Sequence, residues 1–244
     1  MPEEKITIIV PTYNEAENLP ELVSALMLLG QPALDVLVVD DNSPDGTGAI
    51  AEDLTRKHPG KVRVLHRQEK AGLGRAYLHG YEVALENGAT VIGQMDADFS
   101  HPPEKILEMI PVLDHYDIAI GSRYVPGGSL DQNWPIWRKG LSAFGNYYAR
   151  TILGLPARDV TGGFRLFNGQ VLKGMPRERV RSNGYVFQVE MAYLAHLCGF
   201  RFKEIPIYFA DRKWGQSKMS LRIQIEAAMR VWQVKNAYRD LSQD

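Results

Sequence analysis

Asp96, Ala97 and Asp98 stand behind the apolar run of residues 90–95 and ahead of Phe99, Ser100, His101 and two prolines. Alternate residues of an extended chain point the same way, so two carboxylates one residue apart project together from a strand end. Hard cations such as Mg²⁺ or Mn²⁺ take oxygen ligands of this kind and complete their shell with phosphate oxygens and water. The spacing suits a metal-assisted site for a nucleotide diphosphate.

The elements that must position these acids are read from alternating apolar strands and amphipathic helices, the pattern of a parallel sheet covered by helices. Residues 6–10 and 35–39 are short β-branched runs. Between them, Asn18 and Glu21 have capping-box spacing ahead of a stripe of Leu22, Val23, Leu26, Met27 and Leu29 that stops at Gly30. A strand over 62–65, a helix over 72–87, a strand over 90–95, a helix start at Pro102-Pro103 and a strand over 118–121 continue the series. The Gly/Pro-rich residues 125–135 are expected to form a mobile loop. Beyond them the pattern predicts a helix over 141–153, a strand near 164–167, a helix over 186–198, a strand over 202–209 and a last helix over 221–239.

Composition narrows the function. The 244 residues are 45% hydrophobic and 23% charged with a net charge of −1, enough chain for one large core and no basic stripe to bind nucleic acid. A single cysteine, Cys198, excludes an internal disulfide, and the six histidines do not fall at zinc spacing with it. No apolar run approaches the ~20 residues that span a bilayer, and the acidic N-terminus runs into a strand without a signal-peptide pattern. The expectation is a cytoplasmic chain that does not cross a membrane.

Ligands of open α/β sheets bind beyond the carboxyl ends of the strands, and every such end here is polar. Pro11-Thr12-Tyr13-Asn14-Glu15 offers a ring to stack on a base or ribose and an acceptor carboxylate. After the second strand, an acid of the Asp40-Asp41 pair can hold the N–H edge of a nucleobase, whereas Asp45-Gly46 reads as a turn. Gly72-Leu73-Gly74-Arg75 lacks the third glycine and the Lys-Ser/Thr pair of phosphate loops, and reads as a helix entry. Arg123, Arg138, Arg212 and Lys218 follow strands or sit in loops from which they can fold over a diphosphate or second phosphate; Lys139 and Lys213 read as solvated surface groups.

Taken together these residues resemble the cytoplasmic domain of polyprenol- or dolichol-phosphate mannose synthases, inverting family 2 glycosyltransferases. The resemblance runs through Pro11 to Glu15, the stretch from Val39 to Asp45, and Asp96 to Pro102. It continues through Gly121-Ser122-Arg123-Tyr124, Asp159-Val160-Thr161-Gly162-Gly163-Phe164-Arg165-Leu166, Gly184-Tyr185-Val186-Phe187-Gln188-Val189-Glu190, and Asp211-Arg212 leading into Gly215-Gln216-Ser217-Lys218. It implies a GT-A fold, a Rossmann-like, mainly parallel α/β sheet flanked by helices. A single catalytic domain over 1–244 would divide into a nucleotide-binding half (1–121), an acceptor-binding half (122–218) and a C-terminal helix (219–244). The implied reaction is of the dolichyl-phosphate β-mannosyltransferase type, from GDP-mannose to a polyprenyl or dolichyl phosphate with Mg²⁺ or Mn²⁺.

Carried over residue by residue, the resemblance implies that Pro11, Tyr13, Glu15, Val39 and Asp41 hold the guanosine, and that Asp96, Ala97 and Asp98 meet the diphosphate and metal. Arg123, Val186, Arg212 and Lys218 complete the donor site, with Asp98, Arg212 and Lys218 as the catalytic set and Arg123 and Arg138 on the acceptor. The chain departs from the pattern at Ser100, beside the metal, where some relatives carry Gln, and at Gly163, where many carry Ser. Members without transmembrane helices act peripherally at the membrane, some docked by a small membrane subunit. Leu141, Phe144, Tyr148, Ile152 and Leu153, with Trp134 and Trp137 upstream, suit either interfacial burial or packing, whereas the last helix reads as packed. Glu15 and Asp41 can hold either base, so a related enzyme using UDP-glucose or another nucleotide sugar is the alternative, followed by a non-catalytic nucleotide-sugar-binding module.

Overall fold

The computed structural model describes residues 4–211 and 221–241. The apolar runs become β1 (Ile6–Thr12), β2 (Leu34–Asp40), β3 (Val62–His66), β4 (Val91–Gln94), β5 (Ile118–Ser122), β6 (Ser129–Leu130), β7 (Arg165–Asn168), β8 (Phe202–Pro206) and β9 (Tyr208–Phe209). Between and after them lie α1 (Leu19–Leu28), α2 (Thr47–Lys57), α3 (Leu73–Glu86), α4 (Ile106–Met109), α5 (Ile136–Leu153), α6 (Gly169–Gly174), α7 (Gly184–Leu197) and α8 (Leu221–Ala237). Seven strands form one sheet in the order β3-β2-β1-β4-β7-β5-β8, and β6 pairs with β9.

β1 is flanked by parallel partners, with Ile6 opposite Leu34 on β2 and opposite Val91 on β4. β5 and β8 are parallel as well, while β7 runs antiparallel between β4 and β5. The sheet is thus mainly parallel, and the one reversed strand brings its N-terminal entry to the edge where β1, β2, β4 and β5 end. β1 and β2 are apolar almost throughout because both of their faces are covered, as parallel strands require. Ile6, Ile8, Val10, Val36 and Val38 pack under α1 and α2, and Ile9, Leu37 and Val39 face α3 and its neighbours. Each such side chain fully removed from water contributes roughly 1.5–3 kcal/mol, so the frame that aims the strand ends is stiff.

Several elements depart from the sequence reading. α2 has no counterpart there, since only Thr47, Ala51 and Leu54 of its residues are buried and its apolar stripe is thin. The capping box does not form: Asn18 is itself in helical conformation and caps nothing with its side chain, donating to Glu15 Oε2 at 2.7 Å instead. α5 begins five residues earlier than expected, because its first turn carries the exposed Ile136 and Trp137, which break an inward stripe. Residues 125–135, expected as a mobile loop, contain β6 and are stitched to β9 by Ser129 N–H to Ile207 O and Asp131 N–H to Phe209 O, both 2.9 Å. The Gly72 segment is the helix entry expected, with φ +95° at Gly72 ahead of α3; a Cβ there would lie 2.7 Å from Asn183.

Candidate active site

Three non-glycine residues among those described have positive φ, Asn14 (62°), Asn42 (55°) and Phe99 (60°). Each lies in the loop behind one of three adjacent strands, β1, β2 and β4. Left-handed backbone at such residues costs of order 1–3 kcal/mol each and persists where surrounding structure over-determines it, typically at sites. The first two loops are one unit: buried Asp40 accepts from Thr12 Oγ1 (3.1 Å) and Ser43 N (3.1 Å), and Ser43 Oγ accepts from Asn14 N (3.1 Å).

Around them sit the residues expected to hold a nucleobase. Pro11, Tyr13 and Glu15 are half-buried, with Lys70 Nζ 3.4 Å from the centre of the Tyr13 ring. Asp41 is buried and ion-paired with Arg67. The Val39 side chain is 0% exposed and belongs to the core, which leaves its main chain to meet a ligand. Arg67 and Lys70 escape sequence reasoning, lying in a stretch whose charges resemble any solvated loop. Asp45 and Gly46 form the turn expected of them: the Asp45 carboxylate accepts from Ala16 N and Thr47 N, and Gly46 has φ +91°.

At the end of β4, Asp98 is 5% exposed and its Oδ1 accepts from Ser100 N (3.1 Å) and Ser100 Oγ (2.6 Å). Ser100 therefore aims the Asp98 carboxylate and keeps its own oxygen lone pairs. Asp96 accepts from the Tyr77 hydroxyl at 3.2 Å, a phenol kept protonated by burial and by that same carboxylate. The Asp96 N–H donates to His101 Nδ1 at 3.1 Å, which places the ring proton on Nε2. Burial pushes the His101 pKa down against the pull of Asp96, and the neutral ring stacks on Phe164 at 5.2 Å.

Arg123, directly after β5, is clamped by Asp159 through Nε to Oδ2 and Nη2 to Oδ1, each 2.7 Å, and by its main-chain N–H at 2.9 Å. Asp159 is in turn placed by Glu204, which accepts from its N–H, and the following loop is held by Asn146 Oδ1, which accepts from Val160 N and Thr161 N. Arg165 is 1% exposed, its pKa pushed down to about 10 by burial and still protonated at neutral pH. It donates to the carbonyls of Gly162, Gln188 and Val160.

Burial raises the Asp159 pKa, but the Arg123 charge and its hydrogen bonds outweigh burial and hold the carboxyl below its usual range. A depressed folded-state pKa contributes stability that is full above the unfolded value of about 3.9 and lost as pH falls through the folded one. Acid unfolding curves followed from pH 6 to pH 2 should accordingly fall more steeply below about pH 4 for the parent than for Asp159→Asn. Parallel curves would remove this pair from the acid limb.

A cavity of about 690 Å³ joins these groups to a second environment. Asp96, Asp98, Ser100, His101 and Arg123 line its polar end, and Trp134, Trp137, Leu141, Phe144, Tyr148 and Val231 its apolar limb. Arg138 stands at its wall, stacked 3.6 Å over Trp134 and 3.4 Å from Asp211. Val186, at the start of α7, also faces it. Ala97 is buried beneath, and Arg212 and Lys218 lie outside the described residues. α5 packs through Leu153, which is buried, and Ile152, which lies against the core, while its Ile136, Trp137 and Phe144 are exposed, as are Met229 and Trp232 of α8.

Among the described residues no cluster of three or more His, Cys, Asp or Glu side chains could hold a metal. Asp96, Asp98 and Ser100 supply a partial set of hard oxygen donors, the set Mg²⁺ or Mn²⁺ uses when a diphosphate and water complete the shell. The residues fit such an ion.

Residues 7–175 match the family model described as Glycosyl transferase family 2. The chain belongs to that family. Within glycosyl transferase family 2 it is 46% identical over 220 residues to a polyprenol monophosphomannose synthase of Mycolicibacterium smegmatis, covering 90% of this chain and 82% of that protein. An undecaprenyl-phosphate mannosyltransferase of Micrococcus luteus is 44% identical over 227 residues, covering 93% and 92%. The resemblance read from the motifs is borne out, and the chain is a glycosyltransferase of this type. Among solved structures, mannosyl-3-phosphoglycerate synthase of Rubrobacter xylanophilus superimposes with a TM-score of 0.67 at 16% identity over 99% of this chain and 77% of that one. Glucosyl-3-phosphoglycerate synthase of Mycobacterium tuberculosis, solved with Mn²⁺, UDP and product, gives 0.65 at 13% over 99% and 82%. At these identities the two establish the GT-A fold expected from the sequence.

Proposed function

We propose that this family 2 glycosyltransferase moves mannose from GDP-mannose to a polyprenyl or dolichyl monophosphate with inversion, giving polyprenyl phosphate mannose and GDP. The observation that carries the reading is the cavity whose acidic and cationic end opens into an aromatic limb between α5 and α8. A phosphate on a long isoprenoid tail has that division of character, and the names of the two relatives support it.

In this reading Tyr13, Glu15 and Asp41 hold the guanosine, Asp96 and Asp98 face the diphosphate, and Arg212 and Lys218 bear on the leaving group. Asp98, with Ser100 beside it, would hold Mg²⁺ or Mn²⁺, which would supply Lewis-acid neutralisation of the diphosphate. Arg123, locked by Asp159, and Arg138, stacked on Trp134, orient the acceptor phosphate. No protein base is assigned: a phosphate monoester has a second pKa near 6, so its oxygen is already anionic at neutral pH. Attack on the anomeric carbon opposite the diphosphate inverts the sugar.

No helix among the described residues is long and apolar enough to cross a membrane. The exposed Trp137 and Phe144 of the cavity's apolar limb, with Ile136 of α5 and Met229 and Trp232 of α8 also exposed, support peripheral contact with a bilayer, at its cytoplasmic face. Radiolabel from GDP-[¹⁴C]mannose should pass to polyprenyl phosphate in vesicles and partition into organic solvent, and the chain should float with those vesicles. Transfer from UDP-glucose alone would overturn the donor, and transfer without flotation would overturn direct membrane contact in favour of a separate docking subunit.

A further inference from the structure

Gln188, on the first turns of α7, is 2% exposed and is part of the cavity wall. Neither the nitrogen nor the oxygen of its carboxamide has a hydrogen-bond partner among the described residues. A buried amide left unpaired costs about 1–3 kcal/mol, and native proteins retain few of them. Its main chain is not at liberty to relieve this, because the Gln188 carbonyl accepts from Arg165 Nη1 at 2.8 Å. The side chain is therefore presented from a fixed point beside the reacting groups.

The neighbouring glycine shows what the amide faces. A Cβ on Gly163 would lie 3.4 Å from Gln188 Nε2, 3.6 Å from Asp96 Oδ1 and 3.6 Å from His101 Cε1, all ordinary contact distances. An atom-sized space thus exists between the amide and the acid that faces the diphosphate. A hydroxyl-bearing side chain at 163 would fill the space and pair with the amide from within; glycine leaves that pairing to a ligand.

We propose that Gln188 is a specificity-determining residue that reads a hydroxyl of the transferred sugar through this gap. The inference rests on the reading of Asp96 and Asp98 as the diphosphate site, since the sugar of a nucleotide sugar must lie between that site and the acceptor. A carboxamide is chemically matched to a hydroxyl, because it donates through nitrogen and accepts through oxygen, and a hydroxyl can answer both. A site built to hydrogen-bond a substrate hydroxyl discriminates strongly against analogues that lack it, because its own polar group is then stranded.

The test is Gln188→Met, which keeps length and drops both polar atoms. With Mg²⁺ present, kcat/KM for the donor should fall about a hundredfold, while the Kd for GDP, which lacks the transferred sugar, stays within twofold. The thermal midpoint should hold or rise, because an unpaired buried group is removed. Among monodeoxy forms of the donor, one should be a poor substrate for the parent and nearly equal to the intact donor for the variant. A donor kcat/KM within threefold of the parent would overturn the proposal. So would parallel losses in GDP affinity and thermal midpoint, which would make Gln188 structural. If the parent uses a different nucleotide sugar, the GDP-mannose reading fails while the same comparison, made with that sugar nucleotide and its own diphosphate, still decides the role of Gln188.

Discussion

Replacing Asp98 by Asn should lower kcat/KM for sugar transfer by a hundredfold or more, with the unfolding midpoint almost unchanged. The asparagine retains an acceptor oxygen for Ser100 N–H and Oγ–H, the two groups that aim the carboxylate, so the loop behind β4 keeps its ties. What it loses is the negative charge that a hard divalent ion requires. Neutralising a departing diphosphate is worth several kcal/mol, and each 1.36 kcal/mol is a factor of about ten in rate. Initial rates measured across a Mn²⁺ titration should show both a lower plateau and a midpoint displaced to higher metal. Parent-like turnover at every metal concentration would take Asp98 out of the mechanism.

Arg123→Met should destabilise the fold by about 3–5 kcal/mol, because it strands a buried carboxylate. The two side chains are 8% and 0% exposed, so water cannot screen what is left behind. Replacing both, as Arg123→Met with Asp159→Leu, should restore most of the loss in urea unfolding, since an apolar pair of similar volume leaves no charge to desolvate. Transfer activity should not return with stability, as the cation proposed to orient the acceptor is still missing. A double variant as unstable as the single would show that Asp159 serves the loop through Arg123 N–H and Gly162 N–H rather than through charge. A double variant with parent-like transfer would remove Arg123 from the acceptor site.

The strands are legible because covered parallel strands are written in Val, Ile and Leu, and Ile6, Val36 and Ile92 have no other reading. The reversal of β7 is not, since Arg165-Leu166-Phe167 looks alike in either direction and only its neighbours set its sense. A buried arginine there also contradicts what strand cores usually contain. β8 and β9 read as one apolar run, although Pro206, which cannot donate to a ladder, stands at the break before Ile207. At the site, the Asp-X-Asp pair and Arg123 announce themselves by type and position at strand ends. Asp159, Gln188 and Tyr77 do not: an acid in a loop, an amide within a helix and a tyrosine in an apolar stripe gain meaning only from the distant residues that tertiary structure sets against them. Val39 shows the converse, a position matched by motif whose side chain the core has already claimed.

Because β7 threads back between β4 and β5, the later half of the chain contributes a middle plank to the platform laid by the earlier half. A chimaera spliced at residue 121 would draw that plank from a foreign partner, and any mismatch would leave the inner margins of β4 and β5 with rows of unmated amides and carbonyls. New acceptors are therefore more readily recruited by remodelling what hangs from the platform, β6, α5 and α8, than by exchanging halves.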